Sequence, residues 1–597
     1  MCGIAGIRSF DFPVSISKLE KMSASIAHRG RDAHGIWVSS DKKVGFAHRR
    51  LSIIDLSEMA NQPFIYKHIA ITFNGEIYNY LENKEILIKK GYRFTTNSDT
   101  EIVCALYLEY GENMFVYMDG AFAFAIWDEK KQLMLVARDR FGEKPLYYAQ
   151  KDNSFYFASE MKALWSAGIE KTPDPLMFYN YLAYDVLENP IDKEQTFYHG
   201  IKKLKASHYL LIEGNTISIK PYWKLKIKQH SITIDKASET LFSLLETSIK
   251  RRLRSDVNIG TSFSGGLDSS IIVELISRFL PTEKQNVFSA RFKNYLYDET
   301  KYQEILLNGK NFKSYVVYPT VNDFIKNLFI LFDIQEEPFG SGSVFSQWSV
   351  MKTAKENNVK VMLDGQGADE VFGGYVKYAN TYLIELLRKM SVDFFTQKKK
   401  ICENELSNNK ALIKNVKDAF IRKNLSFLRP LYYNFRNKSK DLGINTQFAG
   451  QFYKKTPPFK IFVDLNKQLY YDTTTYGLEK LLRIADRNSM YHGVEVRLPY
   501  LYHELVEFVF SLPSTFKIHN GYSKYILRNM ANDLLPYEIV WRKQKIGYNT
   551  PIENWIKNNE FVEMFHDAEN RLIKNGIIVS NHTINPMKIV ETDYFMR

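Results

Sequence analysis

Ser262-Phe263-Ser264-Gly265-Gly266-Leu267-Asp268-Ser269-Ser270 is the stretch from which the second half of this chain is read. It follows a short β-type run, Val257 to Phe263, and opens an amphipathic helix whose apolar positions Leu267, Ile271, Ile272, Leu275, Ile276 and Phe279 recur at helical spacing. A strand, a glycine turn and a helix place unpaired N–H groups at the helix start. The two glycines let a ligand approach the backbone, and the hydroxyls of Ser264, Ser269 and Ser270 add donors. Such a loop holds a phosphate. It lacks the Gly-Lys-Ser/Thr of a Walker loop and the glycine spacing of the dinucleotide fingerprint.

Outward from this loop the chain alternates. A helix from Ala237 runs to Leu253, and β-type runs follow the loop helix at Val287 to Phe292, Ser314 to Tyr318 and Val359 to Leu363, with helical segments between them. That spacing predicts a parallel sheet with helices on both faces, whose ligands bind beyond the carboxyl ends of the strands. The run at Val359 is expected to be the last strand, delivering Asp364-Gly365-Gln366-Gly367-Ala368-Asp369-Glu370 beside the glycine loop. Asp268 and Asp369, on adjacent strand ends, are then set to share a Mg²⁺. The competing reading of an acidic pair, a solvated turn, does not suit a position opposite a phosphate loop.

With 597 residues, 45% of them hydrophobic and 14% aromatic, the chain has material for two packed domains and a further helical lobe. No apolar run nears the ~20 residues that span a bilayer, and no signal segment is read at Met1, so no membrane span and a cytoplasmic location are expected. Three scattered cysteines (Cys2, Cys104, Cys402) make neither a disulfide framework nor a zinc site. A net charge of +13 raises nucleic-acid binding, but much of the lysine falls between Lys389 and Lys455 without an aromatic stacking motif. A solvated helical surface, and no nucleic-acid partner, is the expectation.

The first half begins with Cys2, which becomes terminal if Met1 is removed. Its α-amine, with a pKa of ~8, can then accept the thiol proton, so that no separate histidine is needed. Cysteine at position 2 is usually incidental, and the residues downstream of it change the odds. Alternating β-type runs at Gly35 to Ser40, Val44 to Ile53, Ile69 to Phe73, Ala121 to Asp128, Leu133 to Asp139 and Ser154 to Ser159, with helical patterns near Ser15 to Ala27 and Thr100 to Tyr110, read as two antiparallel sheets with helices outside.

Within this half Cys2-Gly3-Ile4-Ala5-Gly6, His28-Arg29-Gly30, Arg50-Leu51-Ser52-Ile53, Asn74-Gly75-Glu76-Ile77-Tyr78-Asn79, Ser98-Asp99-Thr100-Glu101 and Arg138-Asp139-Arg140-Phe141-Gly142 stand in the order seen in class II glutamine amidotransferases. The first 200 residues resemble that N-terminal-nucleophile glutaminase domain. The resemblance implies that Cys2 attacks the glutamine amide, that Asn74 and Gly75 form the oxyanion hole, and that Arg50, Ile54, Glu76 and Asp99 hold glutamine, Arg50 on its carboxylate and Asp99 on its ammonium. Arg31 departs from the proline usual after His-Arg-Gly; a local loop effect is expected.

The stretch at Ser262 resembles the pyrophosphate loop, SGGxDS, of enzymes that cleave ATP between the α and β phosphates and adenylate a carboxylate. With Ala485-Asp486-Arg487-Asn488-Ser489-Met490, Glu495-Val496-Arg497-Leu498-Pro499, Lys524-Tyr525-Ile526-Leu527-Arg528 and Arg542-Lys543-Gln544-Lys545-Ile546-Gly547-Tyr548, it makes the second half similar to the synthetase domain of glutamine-hydrolysing asparagine synthetases. The resemblance implies ATP held at Ser262, Ser264, Gly265, Gly266, Asp268, Ser269, Ala290, Asp364 and Gly365, with Lys524 on the pentacovalent phosphorus and Mg²⁺ on Asp268 and Asp369. The implied domains are residues 2–215 (glutaminase, an α+β sandwich), 216–236 (linker) and 237–597 (an α/β ATP-pyrophosphatase with added helices), the last carrying a helical insertion at about 381–470.

The resemblance implies ammonia from glutamine passing to an acyl-adenylate made from ATP and aspartate. The acceptor side departs from the family. Gln366 replaces a glutamate, the stretch 336–343 differs from the segment that lines the acceptor site, and Tyr502 replaces an aspartate. Another carboxylate, such as a uronic acid of surface polysaccharide or a peptidoglycan precursor, is the alternative acceptor. A non-enzymatic regulator is disfavoured by the presence of Cys2, Asn74, Asp99, Asp268, Asp369 and Lys524 together. A homodimer contact is one reading of the 381–470 insertion.

Overall fold

Alternating apolar runs in the first 221 residues pair into two antiparallel sheets. The strands are β1 (Gly3–Ser9), β2 (Ala33–Val38), β3 (Val44–Arg50), β4 (Phe64–Tyr66), β5 (Ile69–Ile77), β6 (Gly120–Asp128), β7 (Leu133–Arg138), β8 (Tyr147–Lys151), β9 (Ser154–Ala158), β10 (Ile201–Lys203), β11 (His208–Glu213) and β12 (Thr216–Pro221). One sheet has the order β10-β8-β9-β1-β3-β2 and the other β12-β11-β7-β6-β5-β4. The computed structural model describes residues 2–227, 231–280, 284–293, 295, 298–308, 311–404, 442–452, 455, 460, 462–543 and 550–597.

Period-two alternation puts one face of each strand between the sheets. Ile4, Phe46 and Phe157 from the first sheet meet Ala123, Trp127, Val136 and Leu210 from the second in a fully buried layer. Each such phenylalanine contributes roughly 1.5–3 kcal/mol by leaving water. Helices α1 (Ile16–Ser25) and α2 (Asp99–Tyr110) cover the outer faces. β5 runs four residues past the expected end at Phe73, which carries Asn74, Gly75 and Glu76 in a paired strand instead of a loop.

The residues expected as a linker, 216–236, open with β12, an edge strand paired to β11. They close in the start of α3 (Ile234–Arg252). Beyond it β13 (Ile259–Ser262), β14 (Gln285–Ala290), β15 (Phe312–Val317) and β16 (Val361–Leu363) form a parallel sheet in the order β15-β14-β13-β16-β17. The expected last strand is therefore not last. A fifth, β17 (Glu495–Arg497), lies parallel to β16 on its outer side, and three residues are too short a run to announce a strand.

Around this sheet stand α4 (Leu267–Phe279), α5 (Val321–Gln335), α6 (Ser343–Glu356), α7 (Ala368–Phe372), α8 (Leu465–Thr474) and α9 (Leu478–Tyr491). Of the insertion expected at 381–470, residues 405–441, 453, 454, 456–459 and 461 lie outside the described residues; its described parts are mostly helical. Among the described residues no helix is long and apolar enough to cross a membrane.

Candidate active site

Cys2 enters β1 with 7% of its surface exposed, and its backbone nitrogen donates to Asn74 Oδ1 at 2.8 Å. The rest of the Asn74 amide is the informative part. The residue is fully buried, and its Nδ2 has no hydrogen-bond partner among the described residues. Gly75 has φ +153°, and a Cβ there would stand 2.2 Å from the Ala121 carbonyl oxygen, so only glycine lets β5 run this close to β6. Burial pushes the Cys2 thiol up, while the Leu51 N–H and the Arg50 guanidinium work against that.

Arg50 ends β3 and gives its guanidinium to the carbonyls of Ser57 (2.8 Å) and Asp55 and to Asn61 Oδ1 (2.9 Å). This folds residues 51–61, with buried Ile54, into a lip beside Cys2. Asp99 opens α2 and accepts the Ile77 N–H at 2.8 Å; burial raises its carboxyl to about 6. Burial, then the charge of Asp99, raises Glu76 well above the carboxylate range.

Behind this pocket stands a residue pair from the other sheet. Arg497 of β17 holds Glu495 at 2.6 Å, lies 3.5 Å from Glu76, and donates to the carbonyls of Arg252 (2.7 Å) and Arg254 (2.6 Å). Burial opposes charge on Glu495, yet Arg497 helps hold its carboxyl down at about 2. The stretch Glu495-Val496-Arg497 is visible in the sequence, but nothing local says that it backs the first domain's pocket.

A cavity of about 820 Å³ opens beyond the carboxyl ends of β13 and β16. Ser262, Ser264, Gly266, Asp268 and Ser269 form one wall, and Asp364, Gly365, Gln366 and Asp369 the next. Lys524 Nζ sits between Asp268 Oδ2 and Asp369 Oδ1, the latter at 2.6 Å. Burial would lower the lysine, but the two carboxylates raise it. Two residues implied for ATP do not line the cavity: Ala290 ends β14 on the neighbouring strand, and Gly265, at φ +86°, faces Gln303 and Glu299. Arg528 and Arg542, which stand in the motif stretches 524–528 and 542–548, and Ser341, in the stretch 336–343, do line it, although the resemblance implies no particular role for any of them.

The acceptor-side departures divide. Gln366 is in the wall, and its Oε1 is buried without a partner among the described residues. Phe339 to Ser343 line the cavity too, but Glu336 does not: its carboxylate accepts the Met161 and Lys162 N–H groups, each at 2.8 Å, and takes Arg487 Nη2 at 2.7 Å. Tyr502 is also elsewhere, buried beside Arg251, which pairs with Asp119 of the first domain. It replaces no cavity-lining group.

Arg29 joins the two sites. Fully buried, it donates from Nε to the Cys2 carbonyl oxygen at 3.1 Å, reaches Glu160 at 2.8 Å, and forks onto Asp486 of α9 at 2.7 and 2.9 Å. The neighbouring Arg487 pairs with Glu160 at 2.9 Å as well as with Glu336.

The sequence model of the glutamine amidotransferase domain matches residues 1–223, and that of asparagine synthase matches residues 240–583. The chain belongs to the asparagine synthase family. Asparagine synthetase (glutamine-hydrolyzing) 1 of Bacillus subtilis (strain 168) is 31% identical over 596 residues, 94% of this chain and 89% of that protein. Asparagine synthetase (glutamine-hydrolyzing) 2 of the same organism is 32% identical over 580 residues, 89% of this chain and 70% of that protein. Amidase chry2 of Gibberella zeae is 27% identical, covering 93% of this chain and 90% of that protein.

The cross-domain pair should be costly to break, because the buried Arg29 guanidinium would be left with Glu160 alone, a carboxylate it shares with Arg487. Asp486→Ala is expected to destabilise the fold by about 3–5 kcal/mol, read as a clearly lower thermal midpoint by circular dichroism. An unchanged midpoint would show that Arg29 does not depend on α9.

Proposed function

We propose that the chain is a glutamine-dependent asparagine synthetase: glutamine is hydrolysed at Cys2, and its ammonia converts a β-aspartyl adenylate, made from ATP and aspartate, into asparagine, with glutamate, AMP and pyrophosphate as the other products. The observation that carries the reading is the presence, in one member of this family, of a buried Cys2–Asn74 pair and a Lys524-bridged carboxylate pair beyond a glycine loop. The relatives named asparagine synthetases favour aspartate over a uronic acid or a peptidoglycan precursor.

In the first domain, once Met1 is removed, the Cys2 amine takes the thiol proton and Sγ attacks the glutamine carboxamide carbon. The oxygen that gains charge finds two donors, Asn74 Nδ2 and the Gly75 N–H. A donor that is buried and otherwise unpartnered contributes most when charge develops on its acceptor. Asn74 Oδ1 meanwhile holds the Cys2 nitrogen in place. The C–N bond breaks as ammonia takes the proton, and water cleaves the thioester to glutamate. Arg50 and Asp99 grip the two ends of glutamine, with Ile54 and Glu76 beside them.

In the second domain the phosphates of ATP lie against Ser262, Ser264, Gly266 and Ser269, with Asp364 and Gly365 near the nucleoside; Gly265 and Ala290 support this wall from behind. The aspartate carboxylate attacks the α phosphorus and pyrophosphate leaves. Lys524 is the compact cation for that transition state. Two carboxylates, Asp268 and Asp369, suit a Mg²⁺ that takes its other oxygens from substrate phosphates; among the described residues no group of three or more His, Cys, Asp or Glu is set to hold a metal. Mg²⁺ bound there would neutralise the leaving pyrophosphate. Gln366 carries no acid, so its amide orients the acceptor and moves no proton.

With ATP, Mg²⁺, aspartate and glutamine, pyrophosphate and asparagine should form in equal amounts; Cys2→Ala should abolish glutamine use and keep synthesis from ammonium. Pyrophosphate release indifferent to aspartate, or glutamine use by Cys2→Ala, would contradict the reading. The pH dependence follows from Asp99. With its carboxyl at about 6, it is a carboxylate above that pH and can pair with the glutamine ammonium. Below it the proton wins, and the KM for glutamine should rise roughly tenfold per pH unit. Asp99→Asn should show a high KM without this slope; a wild-type KM flat from pH 5 to 8 would exclude the role.

A further inference from the structure

A second cavity, of about 420 Å³, lies where the segment leaving β12, Pro221 to Leu225, crosses the end of α8 and the start of α9. It shares no lining residue with the cavity at β13 and β16. Its walls are cationic. Lys193, half-buried, has the Thr474 carbonyl as its hydrogen-bond partner; burial, with Lys203 and Lys205 nearby, lowers its pKa, while Glu479 and Glu188 oppose that. Lys205 reaches Glu194 only at 3.6 Å. Arg140, 7% exposed, gives Nη1 and Nη2 to the Met118 and Phe115 carbonyls, and its buried Nε has no partner among the described residues.

Among the described lining residues Glu479 stands against Lys193, Lys205, Lys224 and Arg140; it faces Lys193 but is shared with Arg138 at 2.6 Å and Lys203 at 3.4 Å, both outside the cavity, so the wall stays net positive. Gathering like charges in a half-buried hollow costs free energy, and a bound anion removes that cost. The remaining walls include half-buried aromatic rings, Tyr222, Trp223 and Tyr476. Faces of this kind take a planar ring, and the volume is that of a small-molecule site.

We propose that this cavity is a second ligand site, for a nucleoside phosphate distinct from the ATP consumed in the reaction: Lys193, Lys205 and Arg140 take the phosphate, and the aromatic faces take the base. Its occupant ties the segment after β12 to α9, the helix that presents Asp486 to Arg29. Binding there is independent of the acceptor assigned to the other cavity.

The test is calorimetric titration of the full chain with GMP, whose base differs from adenine, and with inorganic phosphate as the ringless control. One GMP per chain is expected. The double variant Lys193→Ala/Lys205→Ala should weaken it by at least about tenfold while keeping wild-type glutaminase activity, which shows that it folds. Lys524→Met should bind GMP as the wild type does, and phosphate should bind more weakly than GMP. No binding at millimolar GMP, equal binding by the double variant, or loss of binding in Lys524→Met would each overturn the proposal. Phosphate binding as tightly as GMP would remove the nucleoside from it.

Discussion

One guanidinium is held in common by the two halves of this protein. Arg29 has no exposed surface, so its charge survives only because Glu160 of its own domain and Asp486 of the other face it at hydrogen-bond distance. A buried cation in this position specifies geometry more than it adds stability, since a carboxylate displaced by an ångström leaves an unpaired charge. From Arg29 the constraint spreads both ways: toward the Cys2 carbonyl on one side, and on the other along α9, where Arg483 donates to the carbonyls of Gln335, Glu337 and Pro338. That turn continues into Phe339 to Ser343, a wall of the cavity beyond β13 and β16. Cys2 and that cavity thus stand at the two ends of one buried set of charges.

The second crossing, through Arg497, works at shorter range. It places a synthetase-domain cation between Glu495 and Glu76, helping Glu495 to stay a carboxylate while burial and the charge of Asp99 favour the proton on Glu76. These crossings bring the domains together around Cys2, Glu76 and Asp99. Free ammonia in bulk water is mostly protonated and no longer a nucleophile, so a closed meeting of the domains preserves the product of the first site for the second.

The parts legible in the sequence are those built from local spacing. The glycine loop announces itself because strand, turn and helix are consecutive, and Cys2 because its amine is its own neighbour. Elements whose meaning lies in distant partners do not. β17 is three residues long, and its role appears only when it pairs with β16, more than a hundred residues earlier. Arg29 stands in a recognised triplet, but its partner is 457 positions away. Tyr502 and Glu336 look like acceptor-site changes when position along the motif is the guide; in three dimensions each packs at the domain interface, so sequence neighbourhood and cavity wall part company there. Gln366 and the stretch Phe339 to Ser343 are the departures that do face the cavity.

The claim that matters most is that the two sites act as one enclosed device. It is tested by supplying amide-¹⁵N glutamine with ATP, Mg²⁺, aspartate and unlabelled ammonium, the last kept below the concentration at which Cys2→Ala makes asparagine, and measuring the ¹⁵N content of the asparagine formed. Asparagine that keeps nearly all the label is the predicted result, because nitrogen released at Cys2 reaches the adenylate without meeting solvent. Label diluted in proportion to the bulk ammonium would contradict the account, leaving two activities that merely share a chain.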